Sequence, residues 1–192
     1  MAFKFPETNW QALLSPERAT WQSLDVFFQV AQPRAQEVWA DMGCGPGYFT
    51  LPLAERVHKV YALDSSPWML ERCRERAVAQ GYGNVETRPC EETAIPLPDK
   101  SVDVSLLANL VHELLQPQAF LAAVGRITRA RVHVIDWHPV PSPAGPPLVD
   151  RLPKDQVIDL LTGLGFVLVQ DAPVYPYHYF LTFRPPASVT PG

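Results

Sequence analysis

V-W-A-D-M-G-C-G-P-G-Y-F-T, residues Val38 to Thr50, sets an acidic residue and three alternate glycines between an apolar run and a helix-like stretch. Val38 to Met42 has the pattern of a short buried strand. Gly43, Gly45 and Gly47 follow at a spacing that lets the backbone bend sharply and approach a ligand without colliding side chains. Tyr48 opens Y-F-T-L-P-L-A-E-R-V, apolar enough for a packed helix, with Pro52 in the first turn, where a missing N–H costs little. Strand, glycine turn and helix N-terminus in that order read as a nucleotide-binding turn, with a glycine-rich structural turn as the plain alternative. The dinucleotide fingerprint would need a glycine where Tyr48 stands and fails by that one residue.

Working outward, a ribose diol requires an acidic residue at the end of the next strand, about 20 residues on. V-Y-A-L-D places Asp64 there. Ser66 and Pro67 are the residue types of a helix cap and first helical position, ahead of Met69 and Leu70. The turn, read as D-x-G-x-G-x-G from Asp41 and in its form G-C-G-P-G, resembles the first motif of the class I S-adenosylmethionine (SAM) dependent methyltransferases, in particular the branch containing ubiquinone and menaquinone biosynthesis enzymes. D-S-S-P-W-M-L resembles that family's D-x-S-x-x-M-L, and I-P-L-P-D-K-S-V-D from Ile95 its L-P-F-P-D-x-S-F-D.

The resemblance implies an α/β fold: a Rossmann-like, doubly wound sheet of seven strands in the order 3-2-1-4-5-7-6, the last antiparallel. It implies SAM as cofactor and S-adenosylhomocysteine as product. Gly43, Gly45 and Gly47 would supply backbone contacts, Asp41 would lie near the methionyl amine, and Asp64, with Ser65 beside it, would hold the ribose. Met69 would lie against the adenine, and Glu91, with Glu92 beside it, would meet the adenine amine. The family's usual aspartate at that position is here a glutamate, which keeps the acceptor and lengthens its reach; a solvated acidic loop is the alternative.

The resemblance covers about residues 36 to 184 of the 192. We expect one domain over residues 1–184, with a helical lead over 1–36 and a disordered tail over 185–192. A net charge of −4 offers no basic surface for a phosphate backbone, which favours a small molecule over nucleic acid as partner. Cys44, Cys73 and Cys90 form no C-x-x-C pair and suit free thiols in a reducing compartment; no metal site is expected. No signal-like N-terminal core and no run of about 20 apolar residues is present. The expectation is a soluble, cytoplasmic monomer or homodimer.

In the lead, Ser15 is placed to cap and Pro16 to open a helix through Phe28. Such a helix can lie over the cofactor cleft, bringing Arg18 and Trp21 to the substrate; docking of the helix on the sheet is the simpler reading. Val85 to Arg88 is the third strand and Val102 to Leu107 the fourth, which runs into A-N-L-V-H-E-L. Ligands of doubly wound sheets sit beyond the carboxyl ends of the strands, so Asn109 and His112 fall at the reacting end of the cofactor. His112 is the first choice and His178 the second for a catalytic group that accepts a proton, because histidine titrates near working pH. Each has packing as its alternative.

Absent motifs narrow the substrate further. Asn109 is not followed by the P-P-Y of base amino methylation, no Pro-Cys nucleophile is present, and Asp136 precedes Trp137 where catechol-type metal sites have Asp-Asn. A-N-L-V-H-E-L also resembles arsenic methyltransferases, but only Cys73 and Cys90 remain outside the turn to supply thiolates. The fifth strand, R-V-H-V-I-D-W, carries His133 as a core residue, and the proline-rich loop from His138 to Pro147 follows. Pro153 to Leu164 reads as a helix closed by Gly165, and Phe166 to Asp171 and Tyr177 to Phe183 as a terminal hairpin. Its connection would bring Tyr175, Tyr177 and His178 beside Trp137 and His138 as an aromatic ring around the substrate mouth. Such a ring suits a compact O- or N-methyl acceptor; core packing is the alternative. A SAM-binding regulatory or scaffold protein without turnover, or a protein or RNA methyltransferase, is the competing function.

Overall fold

The computed structural model describes residues 5–187. Seven strands form the sheet: β1 (Val38–Met42), β2 (Lys59–Asp64), β3 (Val85–Pro89), β4 (Val102–Ala108), β5 (Thr128–Trp137), β6 (Val167–Asp171) and β7 (His178–Arg184). Their order is β3-β2-β1-β4-β5-β7-β6, with β7 antiparallel to both neighbours, as expected from the sequence. The central strands are buried on both faces, which explains why Val104 to Leu107 reads as an unbroken run of apolar or small residues and why β1 is apolar but for Asp41.

Side chains alternate between two cores. One face of the sheet, with Met42, Leu63, Leu107 and Val134, packs against α5 (Pro117–Ile127) and α6 (Lys154–Gly163) through Leu121, Val124, Val157 and Leu161. The other, with Trp39, Val60, Leu106 and Phe180, packs against α2 (Leu24–Ala31) and α3 (Thr50–Ala54) through Phe27 and Leu53. The helix α4 (Pro67–Ala79) begins as its sequence predicts, with Ser66 Oγ accepting from Met69 N at 3.1 Å and Pro67 in the first turn. Among the described residues the prolines fall largely at element ends and in loops, where a missing N–H is tolerated.

Three expectations need correction. The helix expected from Ser15 to Phe28 breaks: Glu7–Leu14 is a 3-10 helix, α1 (Arg18–Trp21) is a single turn without a side-chain cap, and the backbone turns at Gln22 before α2. The cause is tertiary, since the fully buried Gln22 side chain hydrogen-bonds Arg18 and Asn109. The helix expected from Tyr48 is reduced to the five residues of α3. Pro52 offers no donor to the Tyr48 carbonyl four residues earlier, which shortens the regular ladder. Of the expected tail, Pro185 is buried and Pro186 packs beside Gly125 and Gly165, while residues 188–192 lie outside the described residues.

Candidate active site

The carboxyl ends of β1, β2, β4 and β5 border one cavity of about 690 Å³, roofed by residues of the N-terminal lead. At its centre, Gly43 and Gly45 hold left-handed φ angles of 66° and 51°, a conformation that costs a side-chain-bearing residue about 1–2 kcal/mol. Gly45 N donates to Asp64 Oδ2 at 2.8 Å and Ser66 N to Asp64 Oδ1 at 2.9 Å, so the carboxylate ties the turn to the start of α4. Asp41 is 2% exposed and accepts from Thr50 Oγ1 at 2.5 Å. Burial pushes its carboxyl up to about 7, against the pull of the Thr50 bond.

Gly47 is not brought to the cavity. A Cβ on it would lie 2.4 Å from Leu51 Cδ1 and 2.9 Å from Cys73 Sγ, so this glycine lets the turn close onto α3 and α4. Ser65, Met69, Glu91 and Glu92 all line the end of the cavity beside Asp64. Glu92 also accepts from Leu115 N at 2.8 Å and Gln116 N at 2.7 Å, holding the connection into α5.

At the opposite end, Asn109 has φ 58° and exchanges hydrogen bonds with Gln22, Nδ2 to Oε1 at 3.0 Å and Nε2 to Oδ1 at 3.2 Å. His112 lines the cavity and is 7% exposed. Its Nδ1 lies 2.7 Å from Asp136 Oδ1, and its backbone N donates to Asp136 Oδ2 at 3.2 Å; Trp137 N donates to Asp136 Oδ1 at 2.8 Å. Burial favours the neutral ring, but the Asp136 charge and hydrogen bond, with Glu113 adding to them, outweigh it and raise the His112 pKa. Glu113 Oε1 stands 3.9 Å from His112 Nε2, and burial pushes its carboxyl up to about 7. With Nδ1–H given to Asp136, the neutral ring presents Nε2 as its acceptor.

The expected aromatic ring does not form. Trp137 is a wall of the cavity, but His138, Tyr175, Tyr177 and His178 do not line it. His178 is fully buried with its ring centroid 3.9 Å from that of Trp137, and burial lowers its pKa to about 3, so it is a poor proton acceptor. Tyr175 lies in the core near α2, its hydroxyl donating to Ser23 O at 2.9 Å. His138 sits edge-on to Tyr179, and the Tyr177 carbonyl accepts from His138 N at 2.8 Å. The wall is completed instead by Ala144, Gly145 and Pro146, with Trp21 from the lead.

Arg151 shapes that loop. Its guanidinium donates to the carbonyls of Pro146, His138, Val140 and Ala144 at 2.7 to 3.2 Å and lies over Trp137. Arg151, Asp136 as a histidine partner, Gln22 and Glu113 were all missed by sequence reasoning. Only the acidic end of β5 beside a histidine at the end of β4 offered a signal, and parallel pairing of those strands was needed to use it.

A methyltransferase-domain family model matches residues 40–135, half of the chain, and the chain belongs to that family. The structure is similar to a SAM-dependent methyltransferase from Aquifex aeolicus, with a TM-score of 0.89 at 26% identity over 95% of this chain and 100% of that one. Among curated proteins, the chain is 37% identical over 91 residues to a malonyl-[acyl-carrier protein] O-methyltransferase of Serratia marcescens, covering 46% of this chain and 33% of that protein. It is 31% identical over 130 residues to the Yersinia pestis protein of the same name, covering 67% of this chain and 45% of the relative. The chain therefore spans less than half the length of these curated relatives. Fold and family together are those of the class I SAM-dependent methyltransferases.

Proposed function

We propose that this protein transfers a methyl group from SAM to an oxygen or nitrogen of a small-molecule acceptor, releasing S-adenosylhomocysteine. The observation that carries this reading is the cavity itself, which runs from the glycine turn and Asp64 to the His112–Asp136 pair without being filled by Trp137, Tyr175 or Tyr177. A binding module without turnover has no need of open space beside a buried, oriented histidine. The residues present fit the cofactor. Gly43 and Gly45 present backbone, and Asp41 supplies a negative group for the methionyl amine. In the same reading Asp64 holds the ribose, Ser65 and Met69 flank the adenine, Glu91 and Glu92 face its amine, and Asn109 borders the reacting end.

When bound, the sulfonium supplies an activated methyl group; the protein's part is alignment, exclusion of water and removal of a proton. An acceptor O or N held beside the activated methyl group would give its proton to His112 Nε2. Asp136 orients the imidazole and stabilises its charged form. His178 has no part in this step.

The concave walls, with Trp21 and Trp137 among them, favour a compact acceptor over a protein or RNA. Placement in the ubiquinone and menaquinone biosynthesis branch rests on G-C-G-P-G and D-S-S-P-W-M-L. We further propose that residues 1–184 act as one domain, as a cytoplasmic monomer or homodimer. The three cysteines are free and buried, which suits a reducing compartment, and among the described residues no helix is long and apolar enough to cross a membrane.

Calorimetric titration with S-adenosylhomocysteine, followed by product release across a panel of small alcohols, phenols and amines, tests the proposal. Saturable binding with turnover of a panel member, reduced in His112→Ala and retained in His178→Phe, is expected. No binding would remove the cofactor, and turnover undiminished in His112→Ala would remove the assigned base.

A further inference from the structure

Two hydrogen-bond acceptors face the cavity side by side with no donor between them. Both stand on the single 3-10 turn Val111–Glu113 that follows β4. His112 lines the cavity, and with Nδ1 turned to Asp136 its Nε2 has no hydrogen-bond partner among the described residues. Glu113 lines the cavity as well, and its Oε1 stands 3.9 Å from that Nε2. A carboxylate can accept about four hydrogen bonds. This one accepts one among the described residues, from Phe5 N at 3.3 Å. Burial holds its carboxyl up at about 7; of the charges that act on it, His112 when protonated favours the ionised form, while Asp136 and Asp64 oppose it.

One donor nitrogen can lie about 2.9 Å from each of two acceptors 3.9 Å apart. An ammonium or amine with two N–H bonds satisfies both at once. A hydroxyl brings one O–H and leaves the other acceptor unpaired in a largely buried place, which is unfavourable. A carboxylate brings no proton, and the ionised Glu113 repels its charge. The wider cavity agrees in sign, since Glu7, Asp41, Asp64, Glu91 and Glu92 also border it, against Arg18 as its one lysine or arginine among the described residues. A cleft lined by one sign of charge concentrates ligands of the other. Trp21 and Trp137 in the same wall give the apolar part of such a ligand its contact.

We propose that Glu113 sets the chemistry of the acceptor, which is a compact primary or secondary amine bound across Glu113 Oε1 and His112 Nε2 in preference to an alcohol, a phenol or a carboxylate. This rests on the acceptor reading above and narrows it from oxygen or nitrogen to nitrogen. Proton transfer from the bound ammonium to His112 Nε2 leaves a neutral amine and an imidazolium. The Glu113 carboxylate beside that ring, with Asp136 behind it, offsets the new charge.

The test is calorimetry on the protein saturated with S-adenosylhomocysteine, with matched probes: benzylamine, N-methylbenzylamine and butylamine against benzyl alcohol, butanol and benzoate. With the unsubstituted protein the best amine should bind about tenfold or more tighter than its alcohol, the worth of a charge-assisted bond, and benzoate should bind weakest. Glu113→Gln keeps the shape and an oxygen for Phe5 N; there the ratio should fall to about twofold or less, with S-adenosylhomocysteine binding unchanged, because the two perturbations remove one interaction. Glu113→Asp should recover part of the ratio. Alcohols bound as tightly as amines by the unsubstituted protein, or no amine bound by protein that holds S-adenosylhomocysteine, would overturn the proposal without any variant having to fold. A ratio unchanged in Glu113→Gln would overturn it too, since the preference would then lie elsewhere. The reading beneath it fails by other signs: undiminished turnover in His112→Ala removes the base and leaves the amine preference standing, whereas failure to bind S-adenosylhomocysteine removes the cofactor and this inference with it.

Discussion

Asp136→Asn removes the charge from a carboxylate that is 1% exposed and accepts three N–H groups, His112 N at 3.2 Å, His112 Nδ1 at 2.7 Å and Trp137 N at 2.8 Å. An asparagine of the same shape keeps one acceptor oxygen. If that oxygen serves His112 Nδ1 and Trp137 N, its NH2 faces the backbone N–H of His112, and a buried donor loses its partner. The orphaned donor costs about 1–3 kcal/mol, and the exchange of a charge-assisted for a neutral bond costs about 1 kcal/mol more. A total of about 2–4 kcal/mol overlaps the lower end of the loss of about 3–5 kcal/mol expected when a buried pair is broken outright.

The effect should depend on pH with a definite sign. The His112 pKa is raised above its ordinary 6.5, so the stabilisation from the charged pair is complete below that value and is lost as pH rises through the folded pKa. The gap between parent and variant, from urea unfolding with the m-values compared, should be larger near about pH 6 than near about pH 9. A gap below about 1 kcal/mol, or one that grows with pH, would refute the assignment of His112 and Asp136 as a charged pair.

Four further outcomes follow from the same structure. Asp41 and Glu113 are both raised to about 7 by burial, so each resists ionisation in the fold; the ligand-free protein should lose stability as pH rises from about 4 to about 7, and thermal unfolding across that range checks it. Asp64→Ala should weaken S-adenosylhomocysteine binding by about 1–3 kcal/mol in calorimetry, since Asp64 also anchors Gly45 N and Ser66 N; binding at parental strength would remove the ribose assignment. Gly47→Ala should destabilise by more than Gly81→Ala, because a Cβ at Gly47 meets Leu51 and Cys73 whereas at Gly81 nothing lies within 4 Å, although both have positive φ; paired melting curves decide this. Arg151→Ala should free the four carbonyls it holds and raise hydrogen exchange in residues 138–147, with a larger effect on acceptor binding than on cofactor binding.

The sheet was legible because its signals are local. An apolar run, glycines with left-handed φ and a capped helix lie within a few residues of one another, and Val38 to Thr50 followed by Asp64 and Ser66 needed no distant partner to be read. Strand order came with the family resemblance that these motifs carry, and it placed the cavity at the carboxyl edge. Asp41, Gly43, Gly45, Asp64, Ser65, Met69, Glu91, Glu92, Asn109 and His112 all border that cavity for this reason.

What the side chains do there was decided by tertiary packing. Gly47 carries the same left-handed signal as Gly45, but only its distance to Leu51 and Cys73 shows that it serves helix packing. The hairpin does return at the expected edge, with His178 paired to Trp137. Which face of the sheet a strand residue meets depends on register, however, and a shift of one residue inverts it; so His178 went to the core, and Tyr175, in the connection before β7, packs there near α2. Arg18 was turned toward the cavity, and Gln22 toward Asn109, by a break in the lead that no helical periodicity contains. His112 found Asp136 because β4 and β5 are parallel neighbours, a juxtaposition of residues 24 apart in the chain that exists only once the sheet has formed.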